Sequence, residues 1–170
     1  GGVLPGAKVS PEIAAIRGIP VGKDCLSPNG HTAFSNIDGM LDMVEEIASK
    51  SGLPVGIKSA VGDRQFWQDL AEKMANTRRG VDFITVDGGE GGTGAGPLVF
   101  TDNVSLPFRA AFQHVFLAMA EHGLQDKIVF IGAGKLGFPE SALLGCSLGC
   151  DMIAVAREAM LSIGCIQAQK

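Results

Sequence analysis

VDFITVDGGEGGTGAGP, residues 81–97, is the stretch that decides between two folds for this chain. Its first eight residues form an apolar run typical of a buried parallel strand. Six of the nine residues after Asp87 are glycines, and Gly89, Gly91 and Gly94 match the G-x-G-x-x-G pattern of dinucleotide-binding loops. Because each glycine adds to the entropic cost of ordering the backbone, the segment favours a loop that brings bare backbone close to a ligand.

The residues after the glycines argue against a Rossmann fold. That fold needs a helix to open at the last glycine, so that the helix amino terminus faces the pyrophosphate. Here Pro97 and the irregular stretch LVFTDNVS follow, and the next helical pattern begins at about Pro107. No acidic residue ends a following strand at the right distance, so the glycine pattern is interpreted as coincidental.

The rest of the chain alternates between apolar runs and helical patterns. Strands are predicted at 53–61, 81–88, 127–134 and 151–156. Helices are predicted at 36–50, 64–79 and 107–122, from Pro139 to near Gly149, and after Arg157. This alternation predicts an α/β fold with a parallel sheet, and the nearly continuous apolar runs predict strands covered on both faces.

Three helix ends carry capping patterns. Ser35 with Asp38 has the spacing of a capping box at the start of the helix at 36–50, and Gly52 is placed to end it. Asp63 is placed to cap the helix at 64–79.

Each predicted strand ends in a glycine-rich or charged segment: KSAVGD, DGGEGGTGAGP, GAGKLG and AREA. In a (β/α)8 TIM barrel this edge builds the active site, and phosphate often binds after strands seven and eight. Four β-α units are half of such a barrel, which would have open edges. The chain begins without Met and ends within a helical pattern, so residues 1–170 are interpreted as part of a longer barrel protein.

Composition excludes several classes of function. The chain has 170 residues, 46% of them hydrophobic, and a formal net charge of −4, which fits one domain and gives no indication of a nucleic-acid or anionic-membrane partner. No apolar run reaches the roughly 18 residues of a membrane span. The four cysteines lack the spacing of a secreted disulfide framework, so a reduced, cytoplasmic setting is expected.

Five segments, in order along the chain, resemble a known family: GGVLPGAKVSPEIAAIRG, LSPNGHTAFSNID, GIKSAVG, EGGTGAGP and GCIQAQK. They are similar to the FMN-binding domain of glutamate synthase, and most to its short, stand-alone branch. The resemblance covers residues 1–170 and implies that the strands are numbers five to eight, the C-terminal half of the barrel.

The resemblance also implies a reaction. FMN, supplied with electrons through a 3Fe-4S cluster, would reduce 2-iminoglutarate, formed from 2-oxoglutarate and ammonia, to L-glutamate. The ammonia would be free or derived from glutamine. The electron donor would be ferredoxin or an NAD(P)H-linked subunit, and a homo-oligomer is compatible with the family.

Some residues depart from the family pattern. Val3 stands where the larger enzymes have Gln in contact with the oxo acid, GAGKLGF replaces DGGLKTG, and SPNGHTAFSN replaces SPPPHHDIYS. Three alternatives therefore stay open. The protein could act on another imino or N-substituted amino acid, be another FMN or phosphate-ligand barrel oxidoreductase, or be a non-catalytic barrel fragment.

Two charged residues are the candidates for catalysis. Lys58 lies within a strand, where a charge is costly without a partner. By resemblance it reaches the N1–O2 edge of the flavin and stabilises the reduced, anionic form; alternatively it is a salt-bridged barrel lysine. Glu90 is either a carboxylate facing the substrate or a structural residue.

The candidate cofactor-binding residues fall into two groups. The glycine loop would pass close to the flavin through Gly91, Gly92, Thr93 and Gly94. The phosphate would be cradled after strands seven and eight by Gly134, Lys135, Ala156 and Arg157. The alternative for Arg157 is a salt bridge to Glu158.

Two further roles rest on the resemblance. Arg17 would bind a carboxylate of 2-oxoglutarate, for which a planar guanidinium is well suited; alternatively it is a solvated helix-end residue. Cys165 would be the first of three cluster ligands, with the other two beyond Lys170; alternatively it is a buried small residue. Cys146 and Cys150, four residues apart, are interpreted as buried small residues rather than metal ligands.

Overall fold

The structure, a computed structural model, describes residues 2–28, 30–90 and 105–165. The amino-terminal segment contains a two-stranded antiparallel ribbon of β1 (Val3–Leu4) and β2 (Cys25–Leu26). Between them lie a 3-10 turn (Gly6–Lys8) and helix α1 (Pro11–Arg17). Ser10 caps α1 by accepting a hydrogen bond from the backbone N–H of Ile13, and Gly18 ends it with a φ of 65°.

The four strands predicted from the apolar runs form one parallel sheet. They are β3 (Ile57–Ala60), β4 (Phe83–Asp87), β5 (Val129–Ala133) and β6 (Met152–Ile153). Neighbours in the sheet are neighbours in the chain, in the order β3-β4-β5-β6, and every pairing is parallel. The predicted α/β class is confirmed, and the sheet is compatible with part of an α/β barrel.

Five helices flank the sheet strands in the chain: α2 (Ile37–Ser51), α3 (Arg64–Asn76), α4 (Phe108–Ala120), α5 (Pro139–Leu148) and α6 (Arg157–Ser162). Gly52 ends α2 in a left-handed conformation and the Asp63 side chain accepts a hydrogen bond from the N–H of Gln65, as predicted. In the described part of the chain, no helix combines the length and the apolar character needed to cross a bilayer.

Two predicted helix boundaries are wrong. Asn36, not Ser35, caps α2, because Asn36 directly precedes the first helical residue and its Oδ1 accepts a hydrogen bond from Gly39 N at 2.8 Å. Helix α3 ends at Asn76 rather than near residue 79. There the Thr77 hydroxyl donates to the carbonyl oxygen of Lys73 and the backbone becomes extended.

The hydrophobic core lies between one face of the sheet and the helices. Ile84, Val86 and Phe130 point to this face and are essentially closed to solvent. Opposite them, α3 contributes Trp67 and α4 contributes Phe112, both fully buried. Since successive side chains of a strand point to opposite faces, this packing fixes which residues lie on the other side.

We call that other side the open face; its strand residues are Lys58, Ala60, Phe83, Thr85, Asp87, Val129, Ile131, Ala133 and Met152. The expectation that both faces are covered is not met within this chain at Val129 and Met152, which are 41% and 58% exposed. The reason is that the core-forming helices pack on the opposite face. The open face is therefore where the sheet can meet other groups.

Candidate functional site at the carboxyl edge of the sheet

The open face carries one ion pair, between Lys58 of β3 and Asp87 of β4. Lys58 Nζ lies 2.9 Å from Asp87 Oδ2, and the side chains are 61% and 34% exposed. The register places Lys58 beside Thr85 and Ala60 beside Asp87, so the lysine leans toward the carboxyl edge of the sheet to reach its partner. The charge within the strand thus has the partner that it requires, and most of the lysine side chain stays accessible.

Asp87 is the site residue that the sequence reasoning missed. It ends the apolar run of β4, and the parity of the register places it on the same face as Lys58. Strand alternation, together with the assumption of a parallel neighbour, is the signal that could have found it.

The ends of β4 and β5 approach each other closely. Gly88 N donates a hydrogen bond to Ala133 O at 2.8 Å. A Cβ placed on Gly134 would lie 3.1 Å from Gly88 N, and Gly134 has a φ of +125°. The contact is tight and L side chains rarely adopt this backbone conformation, so both favour glycine here. Bare backbone therefore lines this part of the edge.

Lys135 follows Gly134 with an unusual backbone. Its φ of 55° makes it the one non-glycine residue with positive φ in the described ranges, and its side chain is exposed. Strained conformations of this kind occur preferentially at ligand sites. The position of Lys135, directly after β5, fits the predicted role at an anionic group.

Glu90 forms a structural contact. Its two carboxylate oxygens accept hydrogen bonds from the N–H of Phe108, the first residue of α4, at 2.8 and 3.0 Å. A carboxylate at a helix amino terminus is favoured by the exposed N–H groups and the helix dipole. This contact ties the turn after β4 to α4, and a role toward substrate stays a prediction.

Ala156 and Arg157 lie beyond the end of β6. The chain leaves the sheet through a hydrogen bond from Ala154 N to Gly132 O at 2.8 Å. Ala156 then precedes α6 and Arg157 is its first residue, both exposed. The arginine thus follows the last strand at the same edge where Lys135 follows the strand before it.

The remaining predicted site residues are not brought to this edge by any described contact. Gly91, Gly92, Thr93 and Gly94 lie outside the described residues. Arg17 is the exposed last residue of α1, in the amino-terminal segment. Val3, where the family pattern departs, is in β1 of the same segment.

The cysteines occupy different environments. Cys165 is half-buried and follows Gly164, whose φ is +90°, after the end of α6. Within 2–28, 30–90 and 105–165, no three or more His, Cys, Asp or Glu side chains lie close enough to hold a metal ion. Cys150 is buried, as predicted, and burial raises the pKa of its thiol to about 12, with smaller contributions from Cys146 and Asp151. The prediction is wrong for Cys146, which is exposed on α5.

A groove of about 690 Å³ runs beside β3, between this strand and α2. Its walls are largely apolar and include Phe34, Val44, Ile57 and Phe66, and Lys58 also lines it. Strand β3 is at one edge of the described sheet. An apolar groove beside an edge strand is typical of a packing surface, and Lys58 belongs both to its lining and to the ion pair with Asp87.

Comparison with known proteins identifies the family. A family model described as a conserved region in glutamate synthase matches residues 1–170. The chain is 39% identical over 168 residues to the glutamate synthase large subunit-like protein YerD of Bacillus subtilis, covering 99% of this chain and 32% of that protein.

Two other relatives carry more specific names. The archaeal glutamate synthase [NADPH] of Methanocaldococcus jannaschii is 34% identical over 167 residues, covering 97% of this chain and 32% of the relative. The ferredoxin-dependent glutamate synthase of Cyanidium caldarium is 27% identical over 172 residues, covering 99% of this chain and 11% of that protein. The chain thus spans about a third of the length of the first two relatives.

Proposed function

This chain belongs to the glutamate synthase family, and we propose that the intact protein is an FMN-dependent oxidoreductase that forms L-glutamate from 2-oxoglutarate and ammonia through 2-iminoglutarate. The observation that carries the proposal is the composition of the carboxyl edge. Lys58, Lys135 and Arg157 lie on or after three strands of one parallel sheet, where the backbone of Gly134 is bare.

The donors at this edge fit FMN. The flavin would lie over the open face near Lys58. Its phosphate would be held by backbone N–H groups after β5 and β6 and by the charges of Lys135 and Arg157. A Cβ at Gly134 would lie 3.1 Å from the backbone of Gly88, so the glycine lets the ends of β4 and β5 approach each other where the phosphate would bind. When bound, FMN supplies the hydride that reduces an imine carbon.

The protein's own residues would orient the substrate and set the charge around it. Lys58 provides a positive charge on the open face, which favours the reduced, anionic flavin. Arg17 would bind a carboxylate of the oxo acid through its planar guanidinium. Glu90, which caps α4 and is exposed, would hold the turn after β4 in position and present its carboxylate at the substrate side.

We propose further that the sheet is the C-terminal half of a (β/α)8 barrel, strands five to eight. Its consecutive parallel order and its open face are both expected of such a half. The apolar groove along β3 would then be the surface on which the preceding strand packs.

Electron supply is a separate part of the proposal. Relatives are named for NADPH and for ferredoxin, and we propose one of these donors for this protein, in a cytoplasmic setting. Cys165 would contribute one thiolate to a 3Fe-4S cluster, whose other ligands lie outside the described residues. The Cys165→Ser variant should then lack the EPR signal of the oxidised cluster while keeping FMN; an unchanged signal excludes this ligand.

A second substrate is favoured by Val3. A valine side chain cannot donate the hydrogen bond that an amide gives to an oxo acid. This observation supports another imino or N-substituted amino acid as the substrate of the same site.

The experiment on the cofactor site uses the intact protein. Stripped of FMN and titrated with it, the Arg157→Ala variant should bind FMN about tenfold to a hundredfold more weakly than wild type, since a charge-assisted hydrogen bond contributes about 1.5–3 kcal/mol. Arg78→Ala is the matched control, because the exposed Arg78 lies between α3 and β4, at the opposite edge of the sheet. Unchanged FMN affinity in folded Arg157→Ala removes this arginine from the site.

The experiment on the reaction follows the products. The intact protein with 2-oxoglutarate, ammonia and a reduced donor should form L-glutamate, detected by mass spectrometry with labelled ammonia. Reduction of another imine without glutamate formation would favour the substrate suggested by Val3. An intact protein that binds no flavin would contradict both.

A further inference from the structure

We propose that Asp87 is a positioning residue: it holds the ammonium of Lys58 at the open face and sets how much positive charge the lysine presents there. This inference rests on the proposed function, in which Lys58 faces the flavin. Its basis is the 2.9 Å contact between Lys58 Nζ and Asp87 Oδ2.

The pair is isolated in its surroundings. Lys58 and Asp87 are the only charged residues within the bounds of β3, β4, β5 and β6. They lie on one face of the sheet, in adjacent strands, with Asp87 as the last residue of β4. A charge pair on an otherwise uncharged sheet face acts on whatever lies over that face.

A stabilising role for the fold explains the pair poorly. The lysine side chain is 61% exposed and the aspartate 34%, and exposed ion pairs add little to stability. The buried face of the sheet, by contrast, is filled by residues such as Ile84 and Phe130. On this chain, the accessibility of the pair and the place of Asp87 at the end of β4 fit an effect on a ligand better than an effect on folding.

The physical consequence is that Asp87 partly neutralises the positive charge of Lys58. A carboxylate 2.9 Å from an ammonium turns a point charge into a dipole, whose field falls off faster with distance than that of a lone charge. The carboxylate also selects one direction for a long side chain with many rotamers. Asp87 therefore fixes the position of the Lys58 ammonium. It also reduces the extent to which this positive charge stabilises the reduced, anionic flavin.

The test separates charge from position with two substitutions in the intact, FMN-loaded protein. Asp87→Asn keeps an oxygen that accepts a hydrogen bond from Lys58 but removes the negative charge. The reduction potential of bound FMN should then rise. The expected rise corresponds to about threefold to tenfold tighter binding of reduced FMN relative to oxidised FMN. For a two-electron couple, a tenfold change corresponds to about 30 mV. Asp87→Ala also releases the ammonium, so its potential should lie below that of Asp87→Asn.

Lys58→Met is the reference variant, and its potential should shift in the opposite direction, below wild type. If Lys58→Met lowers the potential but Asp87→Asn leaves it at or below wild type, the role of Asp87 is overturned while the proposed role of Lys58 stands. If neither variant shifts the potential, Lys58 does not face the flavin and both ideas fail. FMN affinity of the stripped proteins and urea unfolding verify that each variant is folded and binds the cofactor.

Discussion

The two faces of the parallel sheet are made by the same strands and differ in charge and in exposure at several positions. Toward the helices, Ile84, Val86 and Phe130 are uncharged and closed to solvent. On the open face, Lys58 and Asp87 form an accessible ion pair. Because the side-chain period of a strand is two, residues next to each other in sequence serve stability on one face and ligand chemistry on the other.

The largest expected effect tests the buried face. Phe130 packs edge-on against Phe112, with ring centroids 5.9 Å apart, and contacts Phe116 at 5.3 Å. Phe130→Ala should lower the free energy of unfolding of the intact protein by about 3–5 kcal/mol, because it removes apolar contacts and leaves a cavity. Leu143→Ala, at a 69% exposed position of α5, should change it by less than about 0.5 kcal/mol; urea unfolding measures both. Similar losses would contradict the assignment of the core.

The second prediction tests whether the open face is still exposed in the intact protein. Met152 is 58% exposed on the open face, and an exposed methionine contributes little. If the barrel closes over this face in the intact protein, Met152→Ala should cost about 2–5 kcal/mol, as for a buried methionine. A change within about 0.5 kcal/mol in the intact protein would mean that the face stays open and that the half-barrel proposal is wrong.

The third prediction concerns the edge that joins the two faces. In Gly134→Ala, the added Cβ meets the Gly88 backbone at 3.1 Å and φ is +125°, so the variant should lose about 1–3 kcal/mol of stability and bind FMN more weakly. Gly123→Ala is the control, since its φ is +66° but nothing lies within 4 Å of the new Cβ. Gly123→Ala should lose stability only because alanine disfavours a positive φ, and it should keep its FMN affinity. Equal FMN affinities would exclude the cradle at Gly134.

The sequence predicted the fold more fully than the site, for identifiable reasons. Runs such as VDFITVDG and KIVFIGAG have strong strand composition, so all four strands and their parallel arrangement could be predicted. The open face could not, because an unbroken apolar run such as that of β5 carries no alternation. The cap of α2 was missed by one residue because Ser35 and Asn36 are both good caps and only the backbone conformation selects Asn36.

The site was harder because it depends on contacts between strands. The pairing of Lys58 with Asp87 requires the register of β3 and β4, residues 29 positions apart in the chain. The hydrogen bonds from Phe108 N–H to the Glu90 carboxylate join residues 18 positions apart in the chain. Residue type and spacing indicated that Lys58 needs a partner and that Glu90 has two possible roles. Neither residue type nor spacing identifies Asp87 as the partner of Lys58 or Phe108 as the partner of Glu90.

The smallest expected effect concerns a second group of charges, away from the sheet edge. On the outer surface, Arg79 contacts Asp38, Asp42 and Glu45 of α2, and Lys73 Nζ lies 2.7 Å from Asp38 Oδ1. The hydrogen bond from Lys73, with the charges of Lys73 and Arg79, lowers the pKa of Asp38, and desolvation opposes this only in part. These pairs join α2 to α3 and to the turn after it, so their role is to hold the helices together.

The sign of the pH effect follows from that lowered pKa. A carboxyl group whose pKa is lower in the folded state stabilises it above the unfolded pKa, and this stabilisation is lost as the pH falls through the folded pKa. Lys73→Met should therefore be less stable than wild type at neutral pH, with a difference that shrinks below roughly pH 4, where Asp38 becomes protonated. Lys127→Met, at an exposed lysine outside the group, should show no such convergence, and urea unfolding between neutral and acid pH measures both. A difference for Lys73→Met that persists unchanged into acid would mean that the aliphatic stem of Lys73, rather than its charge, supports α2.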